Sequence, residues 1–172
     1  TEGKVSKEFG KSLCKYVGSK HVTLCNSGSS ASLLAMSALA ENCAEGRKVV
    51  TCATGFPTTV APIIQNGLVP LFVDVDPKTL NANREQLHEA LHDRDVCGVT
   101  MAHTLGFPFD AFSVAETTRE LGKWFIEDIA DALGAEINDR RVGTFGDASI
   151  ISFFPAHHIT TGEGGAVFTN NG

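Results

Sequence analysis

Two apolar segments near the end of the sequence are joined by the stretch Ser152-Phe153-Phe154-Pro155-Ala156-His157-His158-Ile159-Thr160-Thr161-Gly162-Glu163-Gly164-Gly165. Residues 148–153 and 166–169 are short, apolar and typical of buried strands. Pro155 and the glycines argue against a regular helix between them, so the stretch is predicted to be a shaped loop. Two adjacent histidines in such a loop need an explanation, and we take His157 as the centre of a candidate site.

The rest of the chain alternates between short apolar runs and segments with helical periodicity. Further strands are predicted at 22–25, 48–53, 71–76, 96–101 and 124–128, and helices at 5–18, 30–43, 58–66, 84–92 and 112–121. This alternation predicts an α/β domain with a mostly parallel sheet. We find no internal repeat or linker, so residues 1–172 are expected to form one domain.

Composition limits the classes of function. The formal net charge is −6 and the basic residues are scattered, which argues against a nucleic-acid surface. No apolar run approaches the roughly 20 residues of a membrane helix, and no signal peptide is visible. The chain begins at Thr1 without a methionine and stops at Asn170-Asn171-Gly172, so we expect a truncated piece of a longer protein.

The cysteines are dispersed and contain no Cys-x-x-Cys motif: Cys14, Cys25, Cys43, Cys52 and Cys97. An odd, scattered set indicates buried free thiols in a reducing compartment, and the cytoplasm is the expected location. A metal site is the less favoured alternative.

Several unusual residues fall where predicted strands end: Asn26–Ser30, Gly55-Phe56, His103, Asp128 and Ser152–His158. In open parallel sheets, ligands bind beyond the carboxyl ends of the strands. The convergence predicts one small-molecule site at that edge.

Gly28, Ser29 and Ser30 lie where a strand gives way to a helix. Free backbone N–H groups, the positive end of the helix dipole and two hydroxyls make this a potential anion site. An ordinary serine N-cap explains the same residues equally well.

The other candidates have ordinary alternatives too. Asp128 could pair with a protonated ring nitrogen of a pyridine cofactor, or it could be a helix cap or a surface acid. Phe56 could stack on a planar ligand, or it could belong to the core. His157 could move protons, or it could be structural or exposed; for His158 the latter is favoured.

Taken together, these segments resemble the DegT/DnrJ/EryC1/StrS family of sugar aminotransferases along residues 1–172. The segments that carry the resemblance are Asn26-Ser27-Gly28-Ser29-Ser30-Ala31, Phe56-Pro57-Thr58-Thr59, Val73-Asp74-Val75-Asp76, residues 127–135 (Glu127-Asp128 to Gly134-Ala135) and Ser152 with Gly162-Glu163-Gly164-Gly165. The resemblance implies the aspartate aminotransferase fold, that is fold type I of the pyridoxal phosphate-dependent transferases, with helices on both faces of the sheet. Residues 1–172 would be part of the cofactor-binding large domain, without the C-terminal small domain.

The resemblance also implies residue roles. Gly28, Ser29, Ser30 and Ser152 would hold the phosphate of pyridoxal or pyridoxamine phosphate. Phe56 would stack on its ring, Asp128 would pair with the ring nitrogen, and Asp131 would approach the ring hydroxyl.

His157 falls where the family has its Schiff-base lysine. Imidazole has no primary amine, so the cofactor would be held without a covalent link. The surrounding residues are similar to the nucleotide-sugar 3-dehydratase branch (RfbH-like and GDP-4-keto-6-deoxymannose 3-dehydratase), whose members act in deoxysugar and lipopolysaccharide biosynthesis. The implied function is removal of the C3 hydroxyl of a nucleotide-linked 4-keto-6-deoxyhexose, with His157 as the proton-transfer residue.

Partners and alternatives follow from the same resemblance. Glutamate would be the amino donor, and the protein would be a homodimer whose partner chain completes the site. Iron–sulfur members have a cluster cysteine where this chain has Ala130, which argues against a [2Fe–2S] cluster and a reductase partner. A sugar aminotransferase and a non-catalytic cofactor- or sugar-binding fragment stay open as alternatives.

Overall fold

The computed structural model describes residues 3–41, 43 and 46–171. The strands are β1 (His21–Cys25), β2 (Lys48–Cys52), β3 (Val69–Val73), β4 (Val96–Ala102), β5 (Trp124–Asp128), β6 (Glu136–Ile137), β7 (Arg140–Arg141), β8 (Ala148–Ser152) and β9 (Gly165–Thr169). The helices are α1 (Lys4–Val17), α2 (Gly28–Ala40), α3 (Pro57–Gln65), α4 (Arg84–Leu91) and α5 (Ala111–Glu120), with a 3₁₀ turn at Thr104–Gly106.

Seven strands form one sheet in the order β1-β9-β8-β5-β4-β2-β3. Strands β8, β5, β4, β2 and β3 run parallel to one another, while β9 is antiparallel to both of its neighbours, β1 and β8. The prediction of a mostly parallel α/β sheet is confirmed.

Apolar residues on both sides of the sheet form two cores. Val50 and Phe125 pack in one core with residues of α1, α4 and α5, whereas their neighbours Val49 and Ile126 pack in the other with α2 and α3. Because successive side chains of a strand point to opposite faces, buried strands of this kind need helices on both sides. The structure confirms that arrangement.

Helix α2 begins earlier than the sequence predicts. Ser27 is its N-cap, because the Ser27 hydroxyl oxygen accepts a hydrogen bond from the Ser30 N–H at 3.1 Å. The predicted range of 30–43 therefore shifts toward 28–40, and Asn42 lies outside the described residues.

The third strand differs from the prediction of 71–76. Strand β3 ends at Val73, where its parallel partner β2 also ends, in the register Cys52↔Val73. Beyond it the chain bends, and Val75 forms only an isolated bridge with Ala82. The strand starts before Pro70, which is tolerated because β3 lies at the edge of the sheet.

The turn predicted at Asn138-Asp139-Arg140 belongs to a small hairpin of β6 and β7. Both Asn138 (φ 50°) and Asp139 (φ 61°) have left-handed backbone conformations, as a tight hairpin turn requires. Two-residue strands leave no periodic signal, so the sequence showed the turn but not the hairpin.

The cysteines are free thiols, but only Cys97 is fully buried and the other four are half-buried, which corrects the prediction that all are buried. Burial raises the pKa of the Cys97 thiol to about 12, and a hydrogen bond from Cys43, at 2.7 Å between the two sulfur atoms, adds to this effect. None of the helices in the described residues is long and apolar enough to span a membrane.

Candidate active site

The carboxyl ends of the central parallel strands meet at one edge of the sheet. Asp128, the last residue of β5, pairs in register with Ala102 at the end of β4, and Ser152 ends β8. The predicted convergence of polar residues at this edge therefore holds for Asp128 and Ser152.

The start of α2 is packed directly against the ends of β8 and β9. A Cβ atom built on Gly28 would lie 2.5 Å from Ser152 Cβ, and one on Gly165 would lie 2.4 Å from the Ser27 carbonyl oxygen. Only glycine permits such close approaches. They bring the hydroxyl-bearing Ser152 beside the first turn of the helix.

The Gly28–Ser30 turn is a serine N-cap, and the anion site stays a prediction that the cap does not exclude. The cap uses the N–H of Ser30, and the hydroxyl groups of Ser27 and Ser30 bond to each other at 3.1 Å. The N–H groups of Gly28 and Ser29 have no intrahelical acceptor, because they open the helix. Ser29 is exposed, so the turn can still offer an anion two backbone donors and a hydroxyl.

Asp128 is a buried carboxylate, with 8% of its surface exposed. The Thr59 hydroxyl donates to Oδ2 at 3.0 Å, and the Ala130 N–H donates to Oδ1 at 3.0 Å. Desolvation nevertheless raises the pKa of Asp128 above its usual range. The alternative of a surface acid is wrong, and none of the ion pairs among the described residues includes this carboxylate.

Thr59 is a site residue to which sequence reasoning gave no role. It lies in the first turn of α3, which starts at Pro57 directly after Phe56. This turn sets Thr59 over Asp128, while Phe56 stays 69% exposed and is therefore not a core residue. The segment Phe56-Pro57-Thr58-Thr59 was noticed, but only the tertiary contact shows which hydroxyl reaches the acid.

His157 lies in a tight turn of the loop after β8, where its N–H donates to the Phe154 carbonyl at 3.0 Å. Its ring nitrogen Nδ1 is 3.0 Å from Oδ1 of Asp131, in the segment after β5. The structure thus brings the two predicted site residues together by a contact that the sequence did not predict. His158 is exposed, in line with its expected minor part.

His103 was predicted to belong to the site at the edge, but its side chain is buried, with 1% of the residue exposed. It stacks on Phe109 with ring centroids 4.3 Å apart, and its Nε2 is 3.1 Å from Glu127 Oε2. Glu127, which is fully buried, also accepts the backbone N–H groups of Gly143, Phe145 and Gly146. Glu127 therefore holds the loop after β7 in place, and the ring of His103 lies below the edge of the sheet.

The described residues contain no group of three or more His, Cys, Asp or Glu side chains that could hold a metal ion. What they do offer at one edge is an open helix start with hydroxyl groups, an exposed aromatic ring, a buried carboxylate and a histidine–carboxylate pair.

Comparison with known proteins assigns the class. The chain matches the DegT/DnrJ/EryC1/StrS aminotransferase family along residues 1–172 and belongs to that family.

Curated relatives include enzymes of sugar metabolism. The lipopolysaccharide biosynthesis protein RfbH of Salmonella typhimurium is 46% identical over all of this chain and 40% of its own length. The dTDP-4-dehydro-2,6-dideoxy-D-glucose 3-dehydratase of Saccharopolyspora spinosa is 44% identical over 96% of this chain and 37% of its own length. The chain therefore spans about two fifths of these relatives.

Solved structures agree on the fold. The Escherichia coli GDP-4-keto-6-deoxy-D-mannose 3-dehydratase with bound hydrated pyridoxal phosphate superimposes with a TM-score of 0.92 at 32% identity, over 99% of this chain and 45% of that one. PseC of Helicobacter pylori, an aminotransferase of pseudaminic acid biosynthesis, gives 0.92 at 31% identity, over 99% and 46%. The predicted aminotransferase-like fold is confirmed for the part that this chain spans.

Replacing Asp128 by Asn should stabilise the cofactor-free protein at neutral pH. The raised pKa means that the folded protein binds this proton more tightly than the unfolded chain, so Asp128 costs stability as pH rises above about 4 through its folded pKa. An amide of the same shape avoids that cost and keeps both hydrogen bonds, with the Thr59 hydroxyl turned to accept. Thermal unfolding from pH 4 to 7 should show a melting-temperature gain that grows with pH.

The control is Asp139→Asn, on the exposed hairpin turn. It should show no growing gain. A gain of Asp128→Asn that is equal at pH 4 and pH 7, or a loss at pH 7, would contradict the assigned cost of burial.

Proposed function

We propose that the full-length protein uses pyridoxal or pyridoxamine phosphate to remove the C3 hydroxyl of a nucleotide-linked 4-keto-6-deoxyhexose. Support comes from the 3-dehydratases and the lipopolysaccharide protein among its relatives. Because the chain spans only about two fifths of those proteins, the reaction is assigned to the whole protein.

We place that protein in the cytoplasm, where nucleotide sugars and glutamate are available.

The residues fit the cofactor. A buried carboxylate without a cationic partner is costly, and a protonated ring nitrogen would supply that partner to Asp128. The backbone donors of Gly28 and Ser29, with hydroxyls of Ser29, Ser30 and Ser152, suit a phosphate. Phe56 is exposed and free to stack on a ring. When bound, the cofactor supplies an amine for the C4 ketone and a ring that withdraws electrons.

The histidine at position 157 is the observation that favours a dehydratase over an aminotransferase. Residues 124–172 contain no lysine, and none of the described hydrogen bonds or ion pairs brings a lysine to His157, Asp128 or Asp131. An imidazole accepts and returns a proton but forms no stable covalent link to the cofactor. His157 would remove a proton from the C4′ methylene of the bound pyridoxamine phosphate. Its conjugate acid would assist departure of the C3 hydroxyl of the sugar.

Glutamate is the proposed co-substrate. Deoxygenation at C3 consumes two electrons, and oxidation of glutamate to 2-oxoglutarate with release of ammonia supplies them. A related 3-dehydratase has been solved with a trapped adduct of pyridoxal phosphate and glutamate. With Ala130 at the cluster-cysteine position, we propose that neither a [2Fe–2S] cluster nor a reductase takes part.

Transfer of an amino group to the keto sugar is the second candidate function. The GDP-perosamine synthase of Vibrio cholerae is 33% identical over 99% of this chain, and PseC is an aminotransferase. The residue at position 157 separates the two chemistries, since an amine favours transfer. The third alternative is that residues 1–172 by themselves only bind a cofactor or a sugar.

Mass spectrometry of the reaction products tests the assignment. Full-length protein with cofactor and glutamate is incubated with CDP-, GDP- and dTDP-linked 4-keto-6-deoxyhexoses, without added reductase. We expect a 3-deoxygenated product from one of them, with one 2-oxoglutarate formed per product. An aminated sugar that keeps its C3 oxygen would establish the aminotransferase instead. A deoxygenated product that forms only with an added reductant would show that a reductase takes part.

His157→Lys should create a covalent cofactor link that the native protein lacks. A lysine amine can condense with the cofactor aldehyde, and borohydride makes the link permanent. After reduction and proteolysis, the adduct should appear on residue 157 of the variant. Dehydration should be lost, because the proton acceptor is replaced.

His158→Lys is the matched control, since His158 is the exposed neighbour in the same loop. It should give no adduct at residue 158 and should still dehydrate the sugar. A reduced adduct on any lysine of the native protein would contradict an unanchored cofactor.

We further propose that the full-length protein is a homodimer. Besides Phe56, large apolar side chains stay exposed near the site edge, including Leu105, Phe107, Phe154 and Ile159, which are 40–75% exposed. Exposed apolar groups of this size commonly mark an interface.

Light scattering of the full-length protein should therefore give twice the mass of one chain, because the interface would bury these side chains. Replacing Leu105, which is 75% exposed, by Glu should shift the mass toward one chain. A native mass of one chain at micromolar concentration would contradict the proposal.

A further inference from the structure

The ring of His157 is held on one side and free on the other. Nδ1 contacts Oδ1 of Asp131 at 3.0 Å, and the ring of Phe154 meets the imidazole edge-to-face with centroids 6.5 Å apart. Within the described part of the chain, no hydrogen bond engages Nε2. The His157 side chain keeps 21% of its surface exposed, so this nitrogen can be reached.

The backbone that carries Asp131 is fixed on two sides. It belongs to the turn after β5, where the Ala132 N–H donates to the Ile129 carbonyl at 3.0 Å. Gly106 packs against it with φ +81°, and a Cβ there would lie 2.8 Å from the Asp131 carbonyl oxygen. Asp131 is therefore held in the same turn that carries the buried Asp128.

A carboxylate restricts the proton on its histidine partner. Neutral imidazole carries one proton, on either Nδ1 or Nε2, and an ionised carboxylate can only accept a hydrogen bond. The pairing with Asp131 therefore favours the form with the proton on Nδ1. That form leaves the Nε2 lone pair available to accept another proton.

Taking this arrangement with the function proposed above, we propose that Asp131 is a positioning residue that fixes the tautomer of His157, so that Nε2 is the proton acceptor. When Nε2 takes a proton, the carboxylate also stabilises the resulting imidazolium. This role differs from the contact with the cofactor's ring hydroxyl that the family resemblance implies, because it acts through His157.

The variant Asp131→Asn tests the tautomer directly. An asparagine amide can donate to Nδ1 as well as accept from it, so the preference for a proton on Nδ1 should be lost. Nitrogen-15 spectra of histidine-labelled, cofactor-free, full-length protein report which ring nitrogen is protonated, and His157→Asn identifies the signal. We expect a mainly Nδ1-protonated ring in the native protein and a shift toward Nε2 protonation in Asp131→Asn.

Two further variants sharpen the test. Asp139→Asn removes an exposed acid on the hairpin turn and should leave the His157 signal and turnover unchanged. Asp131→Glu keeps the carboxylate and should retain the Nδ1 proton and recover part of the activity. In Asp131→Asn, kcat for dehydration should fall at least about 10-fold, the lower end of the loss known for carboxylates that orient metal-bound histidines, with little change in KM.

The outcomes separate this proposal from the proposed function. If Asp131→Asn leaves the tautomer unchanged, the positioning role is wrong, even if kcat falls through another contact of Asp131. An equal kcat in native and Asp131→Asn protein also overturns it. If the tautomer shifts as expected but the native protein deoxygenates none of the sugars, the pairing stands and the dehydratase assignment fails.

Discussion

The burial of the Asp128 carboxylate, which forms no ion pair with any described residue, is the main constraint at the carboxyl edge of this sheet. Two acids, Glu127 and Asp128, are consecutive and both buried. Because adjacent strand residues point to opposite faces, they meet different surroundings. Glu127 is surrounded by backbone donors and His103, whereas Asp128 accepts hydrogen bonds from the Thr59 hydroxyl and the Ala130 N–H. All of these donors to Glu127 come from the protein, although His103 Nδ1 is itself buried without a hydrogen-bond partner among the described residues. Asp128 has the less complete set, which is why we propose that a positive group of a ligand pairs with it.

The elements around Asp128 supply its hydrogen-bond donors and also the neighbouring contact to His157. Helix α3 supplies Thr59, and the turn that follows β5 supplies both Ala130 and Asp131. Asp131 reaches His157, so one short turn connects the buried acid to the histidine. The cofactor ring that we propose to pair with Asp128 would thus lie next to the turn whose Asp131 contacts His157.

Local sequence was sufficient for the order of the main strands and helices and for an acid at the end of β5, but it missed the β6–β7 hairpin and left open whether that acid is buried. Apolar runs of four to seven residues report burial, and a terminal acid stands out against them. Contacts between distant segments were not predictable in this way. Thr59 and Asp128 are 69 residues apart, and Asp131 and His157 are 26 apart. Their side-chain types suit several roles, and only the folded geometry selects one. The same limit explains why His103 was placed at the edge, although it lies beneath it.

The reversed strand β9 has a consequence for the loop that carries His157. Because β9 is antiparallel to β8, the chain leaves the sheet after Ser152 and re-enters it at Gly165 on the same edge. Residues 154–163 therefore form an excursion that crosses neither face of the sheet, and their identity is not tied to the packing of a crossover helix. A substitution at position 157 is therefore expected to leave the cores on both faces as they are. The sheet is thus built independently of the loop that carries His157, and the loop can vary in sequence above an unchanged sheet.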